Sequence, residues 1–173
     1  AGNNSQMLVG GVEHLGHVPM TAALDYNSKL FDGFDFQWTN MGLTAEKIVE
    51  DFQIGREAQD LFTIESNKRY FSAKENGFFA NEIIPVDLPD GQSVTDDQEP
   101  RLSTLEKLGE LRTVFKEDGT ITAANSSGIS DGACMAWIGN QSAVNQFGRE
   151  PLVEIQNTVN IGLNPETMGL GPV

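Results

Sequence analysis

Hydrophobic and polar positions along this chain change period several times, and each change predicts an element. "MLVGG" (7–11) is a short apolar run halted by two glycines, as for a buried strand meeting a loop. "VEHLGHVPM" follows, and the chain is then irregular to about residue 40. Within that stretch "FDGFDFQW" sets Phe34, Phe36 and Trp38 on alternate positions. Alternation predicts an extended segment with all three rings on one face. Such a face packs into a core or a loop, or it walls an acyl chain.

The period then lengthens. In "LTAEKIVEDF" (43–52), Leu43, Ile48, Val49 and Phe52 fall near helical spacing, with Thr44 as N-cap. "REAQDLFTIESNKRYFSAKENG" (56–77) reads as a longer helix with Ala58, Leu61, Phe62, Tyr70 and Ala73 in an apolar stripe, stopped by Gly77. "NEIIPV" (81–86) reads as a short strand that Pro85 confines to an edge or an end, and residues 87–100 read as a loop. Ser103 and Glu106 stand in capping-box register, which starts a helix over 103–111. A turn is expected at Asp118-Gly119, a buried strand at "GACMAWIG" (132–139) and a short helix at 141–148 ending on Gly148. Leu152, Ile155, Val159 and Ile161 alternate imperfectly and predict a strand over 151–162. Strand-like pieces near both ends thus bracket a helical excursion of roughly 100 residues, and a long insertion from a sheet usually carries function as a lid or binding element.

Composition narrows the function classes. The 173 residues are 39% hydrophobic and 8% aromatic, enough for one domain with a core. No run approaches the roughly 18 apolar residues of a membrane helix. No basic, apolar and small-residue succession opens the chain as a signal peptide would. The net charge of −14 argues against a nucleic-acid partner, because phosphate neutralisation needs Lys and Arg. It fits a soluble, cytoplasmic protein. From Glu75 to Pro100 there is no basic residue, whereas Arg101, Lys107, Arg112 and Lys116 follow closely. An anionic ligand would have to be drawn by that local cluster, since distant charge is screened beyond about 10 Å.

Candidate chemistry is sparse. The single cysteine, Cys134, forms no intrachain disulfide and fits a reducing compartment. It sits in an apolar run with no histidine near in sequence, so it reads as a small buried hydrophobe and no catalytic role is assigned to it. His14 and His17 lie three apart without a third ligand, so no metal is expected and loop packing or a dimer contact is the reading. "TITAANSSGISDGA" (120–133) is small, hydroxyl-rich and free of basic residues. It is either a flexible linker or a shaped backbone surface around a ligand.

Seven stretches, in order and nearly spanning the chain, resemble the fatty-acid-degrading 3-ketoacyl-CoA thiolases of the thiolase family. They are "VGGVEHLGHVPM" (9–20), "NMGLTAE" (40–46), "GREAQD" (55–60), "GFFANEIIPV" (77–86), "STLEKLGELRTVF" (103–115), "GTITAANSSGISDGA" (119–133) and "NPETMGLGPV" (164–173). The resemblance implies an α/β fold of two similar halves, each a mixed five-stranded sheet with helices, and an inserted, mainly helical loop domain. Residues 1–11 would end the N-terminal half with a strand, and 12–118 would be the loop domain. Residues 119–148 would give the last strand and helix of that half, and 149–173 would start the C-terminal half.

The implied activity is cleavage of 3-ketoacyl-CoA with coenzyme A to acetyl-CoA and a shortened acyl-CoA, in fatty acid β-oxidation. The implied co-substrate is coenzyme A, with no covalently bound cofactor. Thiolases use an acylated cysteine, a histidine that activates it and a second cysteine. All three are expected outside these 173 residues, which alone should be inactive. The segment would line the acyl and coenzyme A tunnel. Met41 would lie near the acyl or pantetheine end, Arg101 at the adenine or phosphate end and Phe115 beside pantetheine. Ala123, Ser127 and Gly128 would lie along the arm, and Met168 near the thioester.

The sequence also departs from the family pattern. Arg101 stands one residue closer to the following helix, Thr113 replaces the usual proline, and Asn40 stands where some members carry His or Met. Gly55 replaces a common serine, which weakens that helix N-cap by about a few tenths of a kcal/mol. A homo-oligomer, dimer or tetramer, and a β-oxidation multienzyme complex are the implied assemblies. The location would be the bacterial cytoplasm, or mitochondria or peroxisomes in a eukaryote. Two other readings remain: a non-catalytic acyl-CoA-binding or interaction module derived from a thiolase, and a degenerate fragment whose exposed core surfaces drive association.

Overall fold

The computed structural model describes residues 6–19, 22, 24–33 and 35–173. Phe34, one of the three alternating aromatics, lies outside them. The chain divides into two compact units, Ala1–Leu30 with Ile129–Gly162, and Phe31–Gly128 with Leu163–Val173.

In the first unit, strand β1 (Gln6–Glu13) pairs antiparallel with a strand spanning Gly132–Gly139, in register from Gln6↔Gly139 to Glu13↔Gly132. Gly10 permits the close approach of the two backbones. A Cβ there would stand 3.0 Å from the Cys134 carbonyl oxygen and 3.1 Å from Met135 Cγ. Both expected strands form, but neither is buried. Met7, Leu8, Val12, Met135 and Trp137 are all exposed. A two-stranded ribbon has no second layer to cover its faces. Cys134, expected inside, is exposed for the same reason.

Asp131 ties the loop after β1 to the start of the second strand. Its Oδ1 accepts from the Leu15 N–H at 3.0 Å and lies 2.8 Å from His14 Nδ1. The His14 hydrogen bond holds the Asp131 carboxyl below its ordinary range, helped by the loop amides. The expected short helix, Gln141–Phe147, is capped by Asn140 at the Ala143 N–H and stopped by Gly148 at φ 67°. Residues 151–162 correct a second expectation. They belong to no ladder among the described residues, and Leu152, Val153, Ile155, Val159 and Ile161 are exposed. Apolar alternation marks which residues suit a strand, but a strand also needs a neighbour to bond.

In the second unit, helix α1 (Met41–Phe52) starts about one turn earlier than Thr44 would set it. The Asn40 side chain accepts from Gly42 and Leu43 N–H. Thr44 is instead buried inside the helix, its hydroxyl donating to the Met41 carbonyl. Just upstream, Asp35 caps a 3-10 turn over Phe36–Thr39 by accepting from Gln37 N–H. That local bond overrides the extended reading of Phe36 and Trp38.

Helix α2 (Arg56–Glu75) ends at Asn76, followed by Gly77 at φ 72°, as expected, and Gly55 at its start makes no side-chain cap bond. Its inward face, however, is polar. Arg56, Gln59, Asp60, Thr63 and Asn67 point inward, whereas Leu61 and Phe62, placed in the apolar stripe by sequence, are exposed.

A further correction concerns 81–100. Phe78–Asn81 form a 3-10 turn, the strand β2 (Val86–Asp87) begins only after Pro85, and it pairs with β3 (Ser93–Val94) in a hairpin turned by Gly91 at φ 84°. Helix α3 (Leu105–Gly109) is capped by Thr104, one residue after the expected Ser103, and Leu108 is buried. The 3-10 helix Pro165–Leu170 packs on α1.

Candidate coenzyme-binding loop

The segment 112–128 is built by local bonds and then anchored from beneath. Val114 N–H donates to the Ile121 carbonyl at 2.9 Å beside a Thr113–Thr122 bridge, and the expected turn closes from Gly119 N–H to the Lys116 carbonyl. Thr122 is fully buried. Its N–H donates to Asn125 Oδ1 at 2.7 Å, and its carbonyl accepts from Ser126 Oγ at 2.7 Å. These Asx- and Ser-type turns curl 122–126 into a tight knuckle.

Side chains from α1 and α2 hold the underside. Glu46, 3% exposed, accepts from Thr120 N–H at 2.9 and 3.0 Å and from Ile121 N–H at 2.8 Å. Asn125 Nδ2 donates to the Thr120 carbonyl, Gln59 Oε1 and Asp60 Oδ1 at 3.1 to 3.4 Å. Asp60, 1% exposed, takes Arg56 Nε at 2.8 Å on its other oxygen. Arg56 also donates to the Leu108 and Leu111 carbonyls, so α3 is joined to the same network. The polar face of α2 has this purpose: the loop and the end of α3 present backbone groups that apolar side chains would leave unpaired. The linker reading of 120–133 therefore fails over 120–126, because a linker has no buried partners.

The outward side of the loop is small and exposed. Ala123, Ser127 and Gly128 all face solvent, and the Ser127 hydroxyl donates to the adjacent Gly128 carbonyl at 3.3 Å. Gly128 abuts the Glu99 carboxylate, which a Cβ would meet at 2.8 Å. Its lack of a side chain thus has a reason inside the chain itself. Two residues on, Arg101 N–H donates to Asn67 Oδ1 at 2.8 Å. Its guanidinium is exposed, with no ion pair among the described residues.

Met41, Phe115 and Met168 are grouped around α1. The Phe115 ring lies over Gly42, where an added Cβ would collide with it, and Met41 is the exposed residue next door. Met168 sits on the 3-10 helix that packs against α1. The seven residues expected at the site therefore fall in two groups of the second unit, one around α1 and one along 99–101 and 127–128, with Ala123 on the 119–128 loop. Lys116 pairs with Glu50, which raises the ammonium above its ordinary value, and Lys47 is raised likewise by Asp51.

Sequence reasoning missed Glu46, Asp60, Asn125 and Glu99. Two carried a signal. Glu46 stands four residues after Gly42 and three before Val49, on the inward face, and Arg56–Asp60 has i,i+4 ion-pair spacing. Among the described residues no group of His, Cys, Asp and Glu is arranged to hold a metal, and His14 and His17 stack edge to face at 4.4 Å. No described helix is long and apolar enough to cross a membrane.

Comparison with known proteins gives a consistent answer. The family model described as "Thiolase, N-terminal domain" matches residues 1–142. A probable acetyl-CoA acyltransferase of Staphylococcus aureus is 36% identical over 99% of this chain and 48% of its own length. The dimeric peroxisomal thiolase of Saccharomyces cerevisiae superposes with a TM-score of 0.84 and 32% identity, covering 97% of this chain and 44% of that one. Human mitochondrial 3-ketoacyl-CoA thiolase in complex with CoA gives 0.68 and 31% identity, over 86% of this chain and 41% of that one. The chain spans about half the length of the curated relatives it matches. Its α/β architecture and its seven motifs are those of one lineage, and this chain belongs to the thiolase family.

Proposed function

We propose that this chain supplies the acyl- and coenzyme A-binding loop domain of a 3-ketoacyl-CoA thiolase acting in fatty acid β-oxidation. Residues 12–118 form that loop domain, with 1–11 and 119–148 belonging to the N-terminal core half and 149–173 to the C-terminal half. The observation that supports the reading is the 119–128 loop. Its inner side is fixed by buried side chains, and its outer side offers the small, exposed Ala123, Ser127 and Gly128, the last beside the Glu99 carboxylate. A pantetheine arm carries amides along a narrow chain, so it needs a rigid, low-relief backbone beside apolar walls. Phe115, Met41 and Met168 are the walls, and Arg101, which has no ion pair among the described residues, is the cation for the phosphate end. The CoA in the complex of human mitochondrial 3-ketoacyl-CoA thiolase makes coenzyme A the co-substrate to test first.

In this reaction an enzyme thiol takes the acyl group as the carbon–carbon bond of the 3-ketoacyl-CoA breaks, and coenzyme A then removes it. The present residues hold and orient the coenzyme, whereas the nucleophile and its base are assigned to other parts of the protein. No nucleophile's role is assigned to Cys134, which has no histidine near it in sequence to form a thiolate. Subunits associate as a dimer or tetramer, within a β-oxidation assembly.

The test is thiolytic cleavage by the full-length protein. Coenzyme A-dependent loss of a 3-ketoacyl-CoA is expected, and Ala123→Phe should raise KM for coenzyme A about tenfold or more by blocking the arm. A full-length protein without such cleavage, or an Ala123→Phe variant with unchanged KM, contradicts the reading.

A further inference from the structure

Glu46 is a carboxylate almost wholly removed from water, and the lysines near it, Lys47 and Lys116, make their ion pairs with Asp51 and Glu50. An unpaired buried charge is tolerated only when both oxygens are well bonded. Here every donor comes from one place. The Thr120 N–H straddles the two oxygens, the Ile121 N–H reaches Oε1 at 2.8 Å and the Thr120 hydroxyl reaches Oε2 at 3.2 Å. Gly119 leaves room for this, since a Cβ there would fall into the carboxylate. Two residues downstream the chain turns outward into the Ala123–Gly128 run. A short side chain could have filled the same volume, but only a carboxylate accepts from two successive amides and a hydroxyl at once.

We infer that Glu46 is a positioning residue for coenzyme A. It touches no ligand; it fixes the height and tilt of Thr120–Ile121, and through them the backbone along which the pantetheine arm lies. The inference rests on reading 119–128 as the coenzyme-lining segment. Glu46→Gln keeps shape and volume but turns one acceptor into a donor that faces N–H groups. The loop then has to shift, and a displacement on the order of 1 Å is enough to cost much of the binding.

The experiment compares steady-state kinetics of the full-length protein with those of Glu46→Gln and Glu50→Gln, each checked for folding by near-UV circular dichroism. Glu46→Gln should raise KM for coenzyme A about tenfold, by more than it lowers kcat, whereas Glu50→Gln should leave KM within about twofold. A folded Glu46→Gln protein with unchanged KM overturns the inference. So does an equal rise in Glu50→Gln, since that would reflect general loosening of α1. If Glu46→Gln does not fold, Thr120→Val removes only the hydroxyl bonds to Glu46 and Gln59. It should raise KM about threefold, and no rise overturns the inference. A wild-type protein that shows no coenzyme A dependence is a separate outcome, which overturns the functional reading and this inference with it.

Discussion

At the scale of single residues, the loop is held by charges buried in pairs and by amides given to carboxylates. Asp60 serves Arg56 and Asn125 together, so Asp60→Ala removes the carboxylate partner of a cation and one acceptor of an amide at once. Loss of about 3 kcal/mol is expected, as for other buried pairs broken on one side, read from the denaturant midpoint of the full-length protein. A loss below about 0.5 kcal/mol would mean that the network is not closed around Asp60. Asp131 gives a pH prediction. Its carboxyl is held below the ordinary 3.8 by His14 and the loop amides. A depressed carboxyl adds stability at pH above its unfolded value, and that contribution disappears as pH falls through the folded midpoint. A carboxyl resonance of Asp131 titrating below 3.8 is expected in NMR, and a midpoint at or above that value contradicts the contact.

At the scale of elements, start and stop signals decided what was readable. Gly55 and Gly77 around α2, Gly148 after the short helix, and the Lys116–Gly119 turn are where the sequence predicts them. Gly55 adopts extended angles that any residue tolerates, with open space around a Cβ. Gly55→Ser should therefore add a few tenths of a kcal/mol, or about 1 °C to 2 °C of melting temperature, by supplying the missing cap. A fall in melting temperature would show that the site does not accept a side chain.

What was not readable has a common cause. Asn40 outbid Thr44 for the first turn of α1, Asp35 bent Phe36 and Trp38 into a 3-10 turn, and Gly91 closed a hairpin inside an acidic stretch. Each is a side chain or glycine making a local backbone bond, which periodicity does not record. The polar face of α2 was hidden differently. Its partners, Asn125 and the α3 carbonyls, are more than fifty residues away in sequence. Of the candidate site, the seven residues proposed as its lining came from family words, while the supports beneath them appeared only once the chain was folded.

At the scale of the whole molecule, the exposed apolar surface is extensive. Both faces of the β1 ribbon and the side chains of Leu152, Val153 and Val159 lie open. Unpaired strand edges and apolar faces seek partners. These 173 residues produced alone should self-associate in light scattering, and a monodisperse monomer with a cooperative melt would contradict that.

The central claim is that the run from Ala123 to Gly128 lies against the pantetheine arm, carried there by Glu46, Asp60 and Asn125. A crystal structure of the full-length protein with coenzyme A tests it most directly. The account predicts pantetheine atoms within about 4 Å of Ala123 and Ser127, with the Glu46 bonds to Thr120 and Ile121 intact. Coenzyme A bound elsewhere, with that run still facing open solvent, would contradict it.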